Sequence, residues 1–137
     1  MPEQSAATLA FVERLRRMPV QAVAAYVAED LRALALAFPD ELLFASALQA
    51  IGDELGRLAR DPNRGVRMQG HSADWHRTAF QSVPGQGHPA DLRIVYRVLL
   101  SDHAQLELRV FGHRFLPDVI YLRGRDRRLM GTTEPPR

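Results

Sequence analysis

The sequence predicts an α+β domain, with an N-terminal helical hairpin packed on a twisted antiparallel sheet of three to four strands. Three observations predict it. Apolar residues recur at three-and-four spacing through the first half of the 137 residues, and they alternate after Gly65. Pro- and Gly-bearing turn signals separate the segments. The length suits one domain spanning residues 1–137, which buries about two thirds of the surface exposed by its unfolded chain.

Each element has a local cause. Residues 8–18 carry Leu9, Val12 and Leu15 with flanking arginines and read as a short extra helix, within an N-terminal extension over 1–19. Residues 18–23 read equally as helix or strand. From residue 20 to 38, Val23, Val27, Leu31, Leu34 and Phe38 form one stripe in an Ala-rich, Gly-free segment, which favours helix. Pro39 stops that helix, and Asp40 and Glu41 open the next, where the helix dipole favours acids. Leu43, Ala47, Leu48, Ile51, Leu55 and Leu58 mark its buried face up to Asp61-Pro62-Asn63. The tight Pro turn makes the two helices an antiparallel pair.

Residues 65–69 and 75–81 read as strands, followed by a long loop over 82–90. Leu92, Ile94, Tyr96, Val98 and Leu100 alternate with Arg93, Val95, Arg97 and Leu99. Leu106, Leu108 and Val110 alternate with Glu107, Arg109 and Phe111, and residues 101–103 turn between the two runs. The expected hairpin sets Val98 opposite Leu106, Arg97 opposite Glu107 and Val95 opposite Arg109. A last helical piece is expected over 117–122 and a frayed tail over 131–137.

Composition narrows the function. There is no cysteine, which excludes disulfide scaffolds, Cys-based zinc sites, iron–sulfur clusters and thiol catalysis. No apolar run approaches the roughly 20 residues that span a bilayer. The opening Met1-Pro2-Glu3-Gln4 lacks a secretory pattern, so a cytoplasmic location without membrane contact is expected. All 18 basic residues are arginine, whose planar fork binds phosphate bidentately. Residues 1–62 carry net −3 and residues 63–137 net +5. The second half therefore either meets a polyanion or complements the first within the fold.

The sheet's helix-free face is expected to gather Arg93, Arg97, Arg109 and Arg77, with His113, Arg114 and Tyr121 close behind. Cleaving RNA without a metal requires proton removal from a 2′-hydroxyl, charge neutralisation at phosphorus and protonation of the leaving 5′-oxygen. Arginine serves the second task, and His76, His113 and Tyr121 are the candidates for the proton transfers. The plainer alternatives are arginines that are solvated or paired with acids such as Glu107, and a Trp75 that packs in the core instead of stacking on a base. Tyr96 alternates with the core set. His71, His88 and His103 read as loop residues, and the spacing of His71, His76 and His88 fits no metal-ligand pattern.

Taken in order, the segments resemble the RelE/ParE toxin superfamily across about residues 22–125. The resemblance rests on Leu58-Ala59-Arg60-Asp61-Pro62, Gly65-Val66-Arg67-Met68-Gln69-Gly70, Leu92-Arg93-Ile94-Val95-Tyr96-Arg97-Val98, and Val110-Phe111-Gly112-His113-Arg114 with a closing Val119-Ile120-Tyr121. It implies two helices on one face of a twisted antiparallel sheet, and a toxin neutralised by an antitoxin protein encoded by the adjacent gene. A RelE-like member would cleave mRNA on the ribosome without metal or other cofactor. A ParE-like member would keep the fold and poison DNA gyrase, and a third alternative is an inactive binding module.

Carried over position by position, the resemblance assigns phosphate contact to Arg93 and transition-state stabilisation to Arg114. The terminal tyrosine falls on Tyr121, with one extra residue intervening. The family's basic pair falls near His76 and Thr78, where this chain offers His76 and Arg77. Adjacent strand residues point to opposite faces, so only one of the two can face a substrate; if that is Arg77, the base is missing or is His113. Arg97, Arg109, His113 and Arg123 complete the expected RNA-binding set.

Overall fold

A computed structural model describes residues 5–68, 75–85, 87–99, 105–125 and 127. Helix α1 (Ala6–Arg16) starts at Ser5, whose hydroxyl accepts from the Thr8 amide at 3.1 Å. A two-residue strand β1 (Val20–Gln21) leads into α2 (Ala24–Ala37). Pro39 ends α2, and Asp40 caps α3 (Glu41–Arg60) by accepting from the Leu42 and Leu43 amides at 2.9 and 3.1 Å. A short 3₁₀ turn (Pro62–Arg64) follows, with the Asp61 carboxylate accepting from the Asn63 amide. Then come β2 (Val66–Arg67), β3 (His76–Phe80), β4 (Leu92–Leu99), β5 (Gln105–His113) and α4 (Ile120–Arg125).

The architecture is α+β, with helices on a five-stranded mixed sheet of order β1-β5-β4-β3-β2. The expected all-antiparallel sheet of three to four strands is corrected on both counts. The two-residue β1 runs parallel to β5, Val20 beside Leu106, because α1 returns the chain to the far edge of the sheet. The ambiguous segment 18–23 thus contains a strand.

The hairpin register matches expectation at Arg97–Glu107 and Val98–Leu106. Val95, however, faces Val110 and not Arg109, because a bulge at Val95/Tyr96 leaves Arg109 as the extra residue on β5. The expected strand over 65–69 is observed as Val66–Arg67, and Gln69 lies outside the described residues. The last helix is Ile120–Arg125, three residues later than the expected start at Pro117. The turn at 101–103 and the tail over 131–137 lie outside the described residues.

One sheet face carries the main core. Ala47, Ile51, Leu55 and Leu58 of α3 repeat every three or four residues and meet Leu92, Ile94, Tyr96, Leu106, Leu108 and Phe111 of β4 and β5. Helix α1 belongs to this core through Phe11 and Leu15, both buried, with Phe11 tilted against Phe111 at 5.4 Å. The N-terminal extension is therefore a structural part of the layer. The antiparallel helical pair is corrected as well: α1 packs along α3, while α2 runs beside β5.

The opposite face holds a smaller cluster of Trp75, Val95, Val110 and Ile120, flanked by Val23, Tyr26, Met68 and Tyr121. That face is accordingly not helix-free, since α4 covers part of it. Tyr96 locks the corner after α3. Its hydroxyl donates to the Pro62 carbonyl at 2.7 Å and accepts from the Gly65 amide at 3.0 Å. Burial is the largest influence on this phenol and raises its pKa, which keeps it the neutral donor. Among the described residues no helix is long and apolar enough to cross a membrane.

Candidate functional site

Strand pairing decides which side chains share a face. His76, Thr78 and Phe80 stand opposite Tyr96, Ile94 and Leu92 and project toward the main core, so Arg77 and Ala79 project to the other side with Val95. His76 stacks on the Tyr96 ring at 5.5 Å. The choice between His76 and Arg77 falls to Arg77.

Arg77 is exposed, and its terminal nitrogen donates to the Tyr121 hydroxyl across 3.4 Å; its guanidinium carbon lies 6.0 Å from that ring's centre. Tyr121 is presented by α4, whose Ile120 anchors it in the smaller cluster. Beside them, Trp75 has the guanidinium carbons of Arg97 and Arg109 each 4.7 Å from its ring centre. Arg97 also donates to the buried Glu107 carboxylate at 2.7 Å. Arg109 donates to the carbonyls of Gly124 and Arg125 at 2.7 and 2.6 Å, which clamps the end of α4 to β5. Trp75 is thus the core residue that the plainer alternative describes, and its faces serve the protein's own arginines.

The remaining candidates lie elsewhere. Arg93 is buried and turns its terminal nitrogen to the carbonyls of Ala90 and Leu92, both at 2.9 Å. His113 ends β5 against Phe38 at 5.7 Å, and its Nδ1 accepts from the amides of Phe115 and Leu116, each at 3.0 Å. Burial, opposed by Asp91 and assisted by Arg93, lowers its pKa; a neutral ring is the form that can accept both bonds. Arg114 is exposed, 4.6 Å above the Phe115 ring, on the lip of a cleft lined by His88, Asp91 and His113. The expected single cup therefore divides into Arg77 with Tyr121 on the sheet face, and His113 with Arg114 at the end of β5.

Arg123 belongs to an ionic cluster that the sequence did not reveal. The Asp30 carboxylate, 1% exposed, accepts from Arg123 Nε at 2.9 Å, from both terminal nitrogens of Arg127 at 2.7 and 2.9 Å, and from the Phe111 amide at 3.1 Å. Arg123 further donates to Asp118 and to the Phe111 carbonyl, and Arg127 to Glu29 and to the Arg109 carbonyl. Burial is the largest single influence on Arg127 and opposes its charge. The bonds and charges of Asp30 and Glu29 together outweigh it and hold the pKa above the usual arginine value. The only sequence signal was an acid amid the apolar stripe of α2, with partners more than ninety residues away.

Among the described residues no group of three or more His, Cys, Asp or Glu side chains is placed to hold a metal ion. His71 and His103 lie outside the described residues. The chain matches no family model, no curated protein and no solved structure.

Proposed function

We propose that this chain is a RelE-type toxin that binds mRNA on the ribosome through the face carrying Arg77 and Tyr121, and that an antitoxin protein neutralises it. The observation that carries the reading is the exposed Arg77 guanidinium beside the Tyr121 hydroxyl, on a face backed by Arg97 and Arg109. A phosphodiester seated there would receive charge-assisted bonds from Arg77. The Tyr121 hydroxyl would protonate the leaving 5′-oxygen as the 2′-oxygen attacks phosphorus, giving a cyclic phosphate and a 5′-hydroxyl. His76 projects from the opposite face, and His113 uses Nδ1 to hold its own turn. The 2′-hydroxyl proton must then pass to water or to a group of the ribosome, which is why the proposal places cleavage there and not on free RNA.

A second reading, an RNA-binding module without cleavage, is favoured by the inward placement of His76 and Arg93. One experiment separates the two. Programmed ribosomes are incubated with the protein and the message is mapped by primer extension. The toxin reading expects cleavage that Tyr121→Phe reduces by about 10²- to 10⁴-fold while ribosome binding persists, whereas Arg77→Ala weakens both. Intact message on ribosomes that hold the wild-type protein would leave the binding module.

A further inference from the structure

Helix α2 turns a row of side chains outward. Ala25, Glu29, Arg32 and Leu36 follow one another at intervals of four, three and four residues, so they share one stripe of the helix. All four are exposed, and Leu36 stands 72% in water. Arg32 makes no ion pair among the described residues, although Glu29 lies one turn before it. Glu29 turns to Arg127 instead, through one carboxylate oxygen, and its side chain remains half in water. The row is also its own complement. The 14 residues of α2 have their midpoint between Asp30 and Leu31. Glu29 and Arg32 lie equally far from that point on either side, as do Ala25 and Leu36.

We propose that this row is a dimer contact, formed by two copies of the chain whose α2 helices lie antiparallel about a two-fold axis through that midpoint. The half-turn sets each Arg32 against the Glu29 of the other copy. It also sets each Leu36 against the other copy's Ala25, whose small side chain leaves room for it. Charge complementarity selects a second copy as the occupant. The same four residues supply both halves of the contact, with two identical ion pairs and no like charges opposed. A polyanion or an anionic lipid surface would meet Glu29 in the centre of the row, and the mirror placement has no role for a foreign helix. Ala24, Ala28 and Ala35 flank the row and are exposed, so nothing bulky keeps the two backbones apart. The contact uses neither Arg77 nor Tyr121, so the proposal stands independently of the RNA reading.

The test is sedimentation equilibrium of the full chain. A contact one helix long, about 21 Å, belongs to the small, transient class of interfaces, so a monomer–dimer equilibrium is expected with a dissociation constant of about 1–100 μM. Arg32→Glu and Glu29→Arg each bring like charges face to face and should weaken the dimer at least about tenfold. An equimolar mixture of these two variants should dimerise about as tightly as the parent, because a mixed pair restores both ion pairs. Leu36→Glu should weaken the parent dimer by a similar factor while the thermal melt of the monomer stays unchanged. Arg32→Glu and Leu36→Glu alter only exposed positions, and they carry the test alone if Glu29→Arg, which faces Arg127, disturbs the fold. A chain that stays monomeric up to about 1 mM, or a dimer indifferent to Arg32→Glu and Leu36→Glu, would overturn the proposal. So would two folded charge variants that associate no better mixed than apart.

Discussion

Replacing Asp30 by Asn keeps the shape of the side chain and removes one charge from a buried ionic cluster. Two guanidiniums, whose side chains are 7% and 4% exposed, would then face an amide in place of a carboxylate. Their remaining acids, Asp118 and Glu29, are half in water and cannot replace it. Breaking a buried ion pair on one side costs about 3–5 kcal/mol. Because Asp118 and Glu29 still hold one arginine each, a value near 3 kcal/mol is expected, from a total stability of about 5–15 kcal/mol. For a chain of this size that lowers the melting temperature by about 10–15 °C.

Calorimetry or a thermal melt followed by circular dichroism checks this, with Glu29→Gln as the exposed control at under about 1 kcal/mol. Replacing Asp30, Arg123 and Arg127 together by Leu, Met and Met should cost less than Asp30→Asn alone, since no charge is left buried without its counterpart. If Asp30→Asn costs under about 1 kcal/mol, or the triple variant melts lower than the single one, the account of this cluster is wrong.

Three further outcomes are expected. The folded state favours the neutral His113 ring, so its contribution is present above the ordinary histidine pKa of about 6.5 and is lost as pH falls from there through the lower folded value. Melts between pH 7.5 and 5.5 should fall toward the acid side, and His113→Gln should flatten that slope; an unchanged slope would remove His113 as its cause. At Gly65 an added Cβ would lie 2.5 Å from the Tyr96 hydroxyl and 2.9 Å from the Arg77 carbonyl. Gly65→Ala should therefore cost about 1–3 kcal/mol by urea unfolding, and Tyr96→Phe in the same background should recover part of it. Trp75→Ala should cost about 3–5 kcal/mol and free Arg97 and Arg109 from the ring, with the loss of near-ultraviolet dichroism reporting on the packing.

Local chemistry was legible in the sequence. Pro39 with Asp40, and Asp61 with Pro62, set helix ends that the structure keeps, and the alternation told which side of β4 meets the main core, although both sides of residues 92–96 are buried. Arg97 opposite Glu107 follows from that alternation, but the bulge beside Val95 does not, because an extra residue leaves no mark in a two-residue period. The parallel β1 is two residues long and is held by a strand more than eighty positions away, so propensity carried no information about it. The candidate site was legible by residue type and not by direction. His76 and Arg77 were told apart only by the partner strand, and Arg93 found carbonyls of its own loop that the alternating pattern could not anticipate.

The cluster around Asp30 has an effect on how the sheet ends. Beyond the two residues of β1, the Arg109 carbonyl and the amide and carbonyl of Phe111 on β5 bond to Arg127, Asp30 and Arg123 in turn. Three side chains thus take the bonds that a longer neighbouring strand would have made. An incoming extended peptide finds the rungs at Arg109 and Phe111 already taken, which hinders self-templated growth of the sheet there without a proline or a lysine. Loss of Asp30 would expose a rung, and the variant would then be prone to fibrillar association at concentrations where the parent remains dispersed.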